Sequence, residues 1–187
     1  AVHKLDTLRV QSAMHDWSAG LVTDDWTLLE PAAIARAREL FARRYASKPD
    51  LVSQMRSQSD VEFLHCLRLA VDDRLTRAAL VLLGRSVAAS HLGGATPRIG
   101  WQLVDHRGDH LTHQHFELPL VLGIDALIAR IRIIEVNLLP PREVAPLNLP
   151  NYDDWVTREA LHNCVAHQDY TQGGRILVTE GPETLRF

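Results

Sequence analysis

The chain has 187 residues, of which 46% are hydrophobic and 23% charged, a balance that suits an ordinary folded domain and excludes a disordered or fibrous one. Twenty Lys and Arg against twenty-three Asp and Glu give a formal charge of −3, so the basic excess of a strong nonspecific nucleic-acid binder is absent. Two cysteines, Cys66 and Cys164, make no disulfide framework and point to a reducing, cytoplasmic compartment.

Residues 1–29 are weakly periodic, with Trp17 and Trp26 as candidate docking aromatics. The start, Ala1-Val2-His3-Lys4, has neither methionine nor a targeting pattern, and Phe187 falls in what reads as the second strand of a hairpin. The expectation is a fragment with neighbouring segments on both sides. Pro31 suits a first helical position, and Ile34, Ala37, Phe41 and Tyr45 recur at helical spacing, with Arg36, Arg43 and Arg44 opposite. Lys48-Pro49 is expected to end that helix. Arg36, Arg38, Arg43, Arg44 and Lys48 could meet phosphates or an acidic partner, although such a face is more often simply solvated.

Ser59 followed by Glu62 forms a capping-box pattern, opening a helix through Leu69. Asp72-Asp73 reads as a turn. Thr76 reads as the cap of a buried helix, Ala78 to Leu83, that Gly84 closes in a left-handed conformation. From Pro97 the period becomes that of strands: Ile99 to Asp105, a turn at Arg107-Gly108-Asp109, then Leu111 to Phe116. Ile124 to Ile133 reads as an amphipathic helix. The apolar stretch 118–134 is broken by Asp125, Arg130 and Arg132, so no membrane span is expected.

The Pro-rich stretch Leu138 to Pro150 is the best candidate boundary. Beyond it come a helix from Trp155 to about His167, a turn with Gly173-Gly174, and a hairpin of Ile176–Thr179 and Leu185–Phe187 about Gly181-Pro182. The expected fold is α+β: a helical linker-like segment over 1–48, a central helix–sheet unit over 49–143, and a terminal helix plus β-hairpin unit over 144–187.

On the last helix Glu159, Asn163 and, less closely, His167 share a stripe, because residues four apart are neighbours. An apolar stripe of Trp155 or Val156, Ala160 and Cys164 is expected beside it. A carboxylate and a carboxamide one turn apart can hold a hard cation such as Mg²⁺ and orient its water. The alternative is structural: Glu159 and Asn163 cap or cross-link neighbouring elements, while Asp169 and Tyr170 fix the turn into the hairpin, Tyr170 burying its ring.

Arg158-Glu159-Ala160-Leu161-His162-Asn163, followed by Ala166-His167-Gln168-Asp169-Tyr170, resembles the signature of the RecG-related, Schlafen-type AlbA family of DNA-binding regulators. Upstream, Leu75-Thr76-Arg77-Ala78-Ala79-Leu80-Val81-Leu82-Leu83-Gly84 resembles a second helix of that family. The signature also resembles the first helix of GHKL-type ATPases. That resemblance implies Glu159 as the residue assisting the attacking water and Asn163 as the ligand of ATP-bridging Mg²⁺. It further implies a terminal hairpin that begins a GHKL-like sheet, DNA recognition through domains outside this chain, and scaffolding or homo-oligomerisation within it. The GHKL glycine-rich aspartate box and lid would lie beyond Phe187, leaving at most a half-site or a degenerate nucleotide module. The chain has no Gly-x-x-x-x-Gly-Lys-Ser/Thr, so the helicase label carried by relatives finds no motor here.

One further constellation remains. His106, His110, His113 and His115 lie within ten residues, beside Asp105 and Asp109, and could form a metal-binding module for Zn²⁺ or Ni²⁺ if they converged. The alternative is a polar hairpin edge.

Overall fold

The structure is a computed structural model that describes residues 16–95, 97–131, 135–138, 147–150, 153–173 and 175–187. It is an α+β fold, as expected from the change of hydrophobic period along the chain. Within the described residues, one compact unit takes those up to Pro97 with Leu118–Val121 and Tyr170–Gly173. The other takes Arg98–Glu117, Leu122–Asp169 and the residues after Gly173.

The first unit sets a small antiparallel sheet among short helices. Strands β1 (Leu21–Thr23), β2 (Ala70–Val71) and β3 (Arg74–Thr76) pair in the order β1-β3-β2. Asp72 and Asp73 form the two-residue turn between β2 and β3, with φ of 47° and 59°, a left-handed pair that Asp tolerates better than most residues. Helices α1 (Pro31–Arg44), α2 (Pro49–Ser57), α3 (Asp60–Cys66) and α4 (Arg77–Leu83) supply most of the rest. Phe63, Leu64, Leu75, Leu80 and Leu83 are buried in this unit.

Local chemistry explains the helix ends. Pro31 starts α1 as expected, but Pro49 opens α2 instead of only ending α1, because an N–H is dispensable in a first turn. The capping box forms: Ser59 accepts from the Glu62 N–H, and Glu62 Oε2 accepts from the Ser59 N–H at 2.7 Å. α3 stops at Cys66, short of Leu69, since Arg68 takes a φ of 57°. Thr76 caps α4, accepting from the Ala79 N–H at 3.2 Å.

Gly84 departs from expectation. Its φ of −73° and ψ of 142° are extended, not left-handed. Glycine fits there because a Cβ would collide with the Leu80 carbonyl oxygen and crowd Ala88.

In the second unit β4 (Ile99–Val104), β5 (His110–Phe116), β8 (Ile176–Glu180) and β9 (Leu185–Arg186) form one sheet in the order β5-β4-β8-β9. β4 and β5 are antiparallel, with Trp101 opposite Gln114, while β4 and β8 run parallel, with Trp101 opposite Val178. The terminal hairpin therefore lies in the same sheet as the central strands, joined through β8. Ile99, Trp101 and Leu103 alternate on one buried face, and Ile176, Val178 and Glu180 do the same on β8. Helices α5 (Leu120–Arg130) and α6 (Asp154–His167) contribute buried Ile124, Leu127, Leu161 and Val165.

α5 begins four residues before the expected Ile124, and part of its expected end, 132–134, lies outside the described residues. Of the expected Pro-rich boundary, 139–146 also lies outside them. Leu147–Pro150 is strand β7, paired antiparallel with β6 (Glu135–Leu138). Among the described residues no helix is long and apolar enough to cross a membrane.

Candidate functional site

α6 carries the residues singled out by sequence. Asp153 caps it, one carboxylate oxygen accepting from the Trp155 N–H at 2.8 Å and the Val156 N–H at 3.1 Å. Asp154 in the first turn and His167 in the last suit the helix dipole.

The buried side of α6 is Thr157, Leu161 and Val165, spaced four apart. Of the apolar stripe expected through Trp155 or Val156, Ala160 and Cys164, Ala160 and Cys164 are half-buried, but its start is a correction, because Trp155 and Val156 are 71% and 56% exposed. A helix buries one stripe, and Leu161 and Val165 define it. Glu159, Asn163 and His167 lie roughly opposite and are exposed. Neither Glu159 nor Asn163 makes a side-chain hydrogen bond among the described residues, so the expectation that they cross-link neighbouring elements is not met.

The tying residue is Arg158. Its Nη1 donates to Asp125 Oδ1 of α5 at 2.8 Å, and its Nε to Asp154 Oδ2 at 2.8 Å. The Asp154 and Asp125 bonds hold the guanidinium above its ordinary pKa against the opposing cost of burial. Asp125 was legible in sequence only as a break in an apolar run.

Tyr170 is half-buried, and its ring stacks on Trp17 at 5.1 Å between centroids. Burial pushes its hydroxyl up to about 12. Arg77 covers Trp17 at 5.3 Å, so this tryptophan is engaged internally. Trp26 donates its indole N–H to the Asp73 carbonyl at 3.3 Å. Asp169 is exposed.

Near the end of α6 an open recess of about 320 Å³ is lined by Cys164, His167, Gln168, Arg175, Leu177 and Phe187. Glu159 and Asn163 do not line it. Burial pushes the Cys164 thiol up, which disfavours the thiolate needed for metal ligation or attack.

The histidines do not converge. His106 sits in the β4–β5 turn, and His110, His113 and His115 run along β5, all four exposed. His113 and His115 come within 5.7 Å between ring centroids, being two apart on one face. Among the described residues no group of three or more His, Cys, Asp or Glu could hold a metal.

The basic stripe of α1 is also divided. Arg38 turns inward, donating to the carbonyls of Met55 and Gln58 and to Asp60 while lying over the Phe63 ring at 4.2 Å. Arg36 pairs with Glu39 at 2.8 Å. Arg43, Arg44 and Lys48 remain on the exposed surface.

No family model matches the chain, and no curated protein does. Among solved structures it is similar to the DIP2311 protein from Corynebacterium diphtheriae, a structural-genomics target, with a TM-score of 0.63 and 21% sequence identity. The match covers 88% of this chain and 30% of that one. At that identity the likeness shows a shared fold, and this chain spans under a third of the length of the protein it resembles.

Proposed function

We propose that this chain is a scaffold module of a RecG-related DNA-binding regulator, and that the exposed stripe Glu159–Asn163–His167 is its contact face toward other parts of that protein. The observation that carries the reading is a division of labour within one motif. Arg158 and Leu161 hold α6 in place, whereas Glu159 and Asn163 are exposed and make no side-chain hydrogen bond among the described residues. The size of the similar solved chain supports a module within something longer. DNA contact would come from domains outside this chain, in keeping with its net charge of −3.

A second reading is a GHKL-type Mg²⁺-ATP half-site. A carboxylate and a carboxamide supply oxygen donors that suit Mg²⁺, which keeps several waters of its own. Glu159 and Asn163 would hold the ion, and it would supply charge neutralisation at the phosphates. The two side chains stand on an open helix face, which favours the scaffold over a working ATPase.

The test is titration of Mg²⁺-ATP and of duplex DNA onto this chain and onto the longer protein that carries it. DNA binding by the longer protein alone, with no heat from Mg²⁺-ATP, supports the scaffold. Nucleotide binding by the longer protein that Asn163→Ala abolishes moves the assignment to the half-site. Absence of DNA binding by the longer protein removes the regulator reading.

A further inference from the structure

Strand β5 carries three of the four clustered histidines, and its register decides which of them can act together. His113 pairs with Gln102 and His115 with Gly100, so both imidazoles stand on one face of the sheet, opposite the buried face of Trp101. Both residues are exposed, and their ring centroids lie 5.7 Å apart with the planes inclined at 59°.

The strands beneath give the pair a firm seat. Gly100 is buried because its neighbours cover it: a Cβ there would stand 3.5 Å from His115 Nδ1 and 3.4 Å from Leu177 Cδ1. The absent side chain lets the His115 ring lie close over the sheet. Gln102, opposite His113, donates its Nε2 to Thr179 Oγ1 on β8 at 2.9 Å. The two rings therefore rise from a hydrogen-bonded strand, which fixes their spacing better than a loop would.

We propose that His113 and His115 form a two-imidazole chelate for a borderline divalent transition metal, with water completing its coordination. Imidazole nitrogen suits Cu²⁺, Ni²⁺ and Zn²⁺, of which Cu²⁺ binds most tightly, whereas Mg²⁺ and Ca²⁺ require oxygen ligands. Two imidazoles bound at about 2.0–2.1 Å hold their ring centroids roughly 4.5–6.5 Å apart, from a right-angle to a linear arrangement. The observed 5.7 Å falls inside that range. Among the described residues no third His, Cys, Asp or Glu joins the pair, so the site is open and the ion exchangeable, with affinity in the micromolar range.

His110 supplies an internal control. The bulge at Leu111 sets it opposite Val104, on the same face of the sheet, yet it does not join the other two as a third ligand. The inference stands apart from the scaffold reading, and its test contains neither DNA nor nucleotide.

Cu²⁺ is titrated by calorimetry onto the untagged chain and its variants, so that Cu²⁺ taken up elsewhere is common to all and cancels. The second imidazole binds intramolecularly, so His113→Ala and His115→Ala are each expected to weaken one equivalent by about tenfold or more. His110→Ala is expected to keep that equivalent within about twofold of the wild type. Zn²⁺ should compete for it at higher concentration. Exchanging neighbours, by Gln114→His with His115→Gln, keeps the number of histidines but moves one ring to the opposite face, and should lose the site as His115→Ala does.

Unchanged uptake in His113→Ala or in the exchange variant overturns the proposal. So does a loss in His110→Ala as large as that in His115→Ala. Should a variant fold poorly by circular dichroism, amide NMR signals of the wild type decide. Paramagnetic broadening by Cu²⁺ centred on residues 113–115 supports the chelate, and signals there that persist at saturation overturn it.

Discussion

Arg158 and Asp125 join the last helix to the one before it: Nη1 donates to Oδ1 at 2.8 Å, with the side chains 25% and 29% exposed. The same guanidinium also holds Asp154 one turn back on its own helix. The most conspicuous cation of the α6 motif thus has an architectural partner inside the second unit.

Arg158→Ala is expected to destabilise the chain by about 1–2 kcal/mol, less than a fully buried charged bond would contribute because water reaches both partners. Arg158→Lys should recover only part, since a single ammonium cannot reproduce the fork that serves two carboxylates. Urea unfolding of the three proteins measures this. A loss of a few tenths of a kcal/mol for the alanine variant would show that the pair contributes little.

Asn163→Ala should leave stability within about 0.5 kcal/mol, as expected for an exposed side chain that makes no hydrogen bond among the described residues. A thermal melt decides. A large drop would mean that Asn163 holds structure after all, and would count against its place on a contact face.

Trp101 and Glu180 are both buried, and the indole N–H donates to Oε2 at 2.9 Å across strands β4 and β8. Trp101→Phe removes that donor and opens space in the core, so a cost of about 2–4 kcal/mol is expected. Glu180→Gln keeps an acceptor oxygen and should cost less. Equal losses from the two variants would show that the carboxylate charge itself matters to the sheet.

Ser59→Ala should cost about 1 kcal/mol by freeing the Glu62 N–H at the start of α3. Ser59→Asp can keep a side-chain acceptor but sets a second carboxylate beside Glu62, so partial recovery is expected. Both are read by thermal unfolding.

Tyr170 should be the late-ionising tyrosine. Its hydroxyl ionises at about 12 in the folded chain because burial disfavours the phenolate, against an ordinary value of 10.0. The unfolded chain releases this proton first, so the folded state binds more protons in that window. Stability from this group is complete below 10 and is lost as pH rises toward 12. Ultraviolet titration of the wild type against Tyr170→Phe tests it, and loss of an early step in the variant would refute the assignment.

Much of the local structure follows from the chain itself. The capping box at Ser59 and Glu62, the Thr76 and Asp153 caps, the Asp72-Asp73 turn and the alternation of Ile99, Trp101 and Leu103 are encoded by neighbours in sequence. Such features depend on groups a few residues apart, so they need no knowledge of the rest of the fold. The motif residues Glu159, Asn163 and His167 were likewise placed on one helical stripe by spacing alone.

What tertiary structure decided is which side of each element meets something. Spacing made an apolar stripe of Trp155 or Val156, Ala160 and Cys164 plausible, but the fully buried residues of helix α6 are Thr157, Leu161 and Val165. Arg38 turns inward although its neighbours make α1 look like an open basic face, because carbonyls of α2 and the loop before α3 lie within its reach. The parallel pairing of β4 with β8 joins residues 77 positions apart, such as Gln102 and Thr179, which no local pattern reports. Caps and turns are short-range chemistry and are written in the sequence, whereas burial and pairing depend on long-range partners and become definite only when the chain closes on itself.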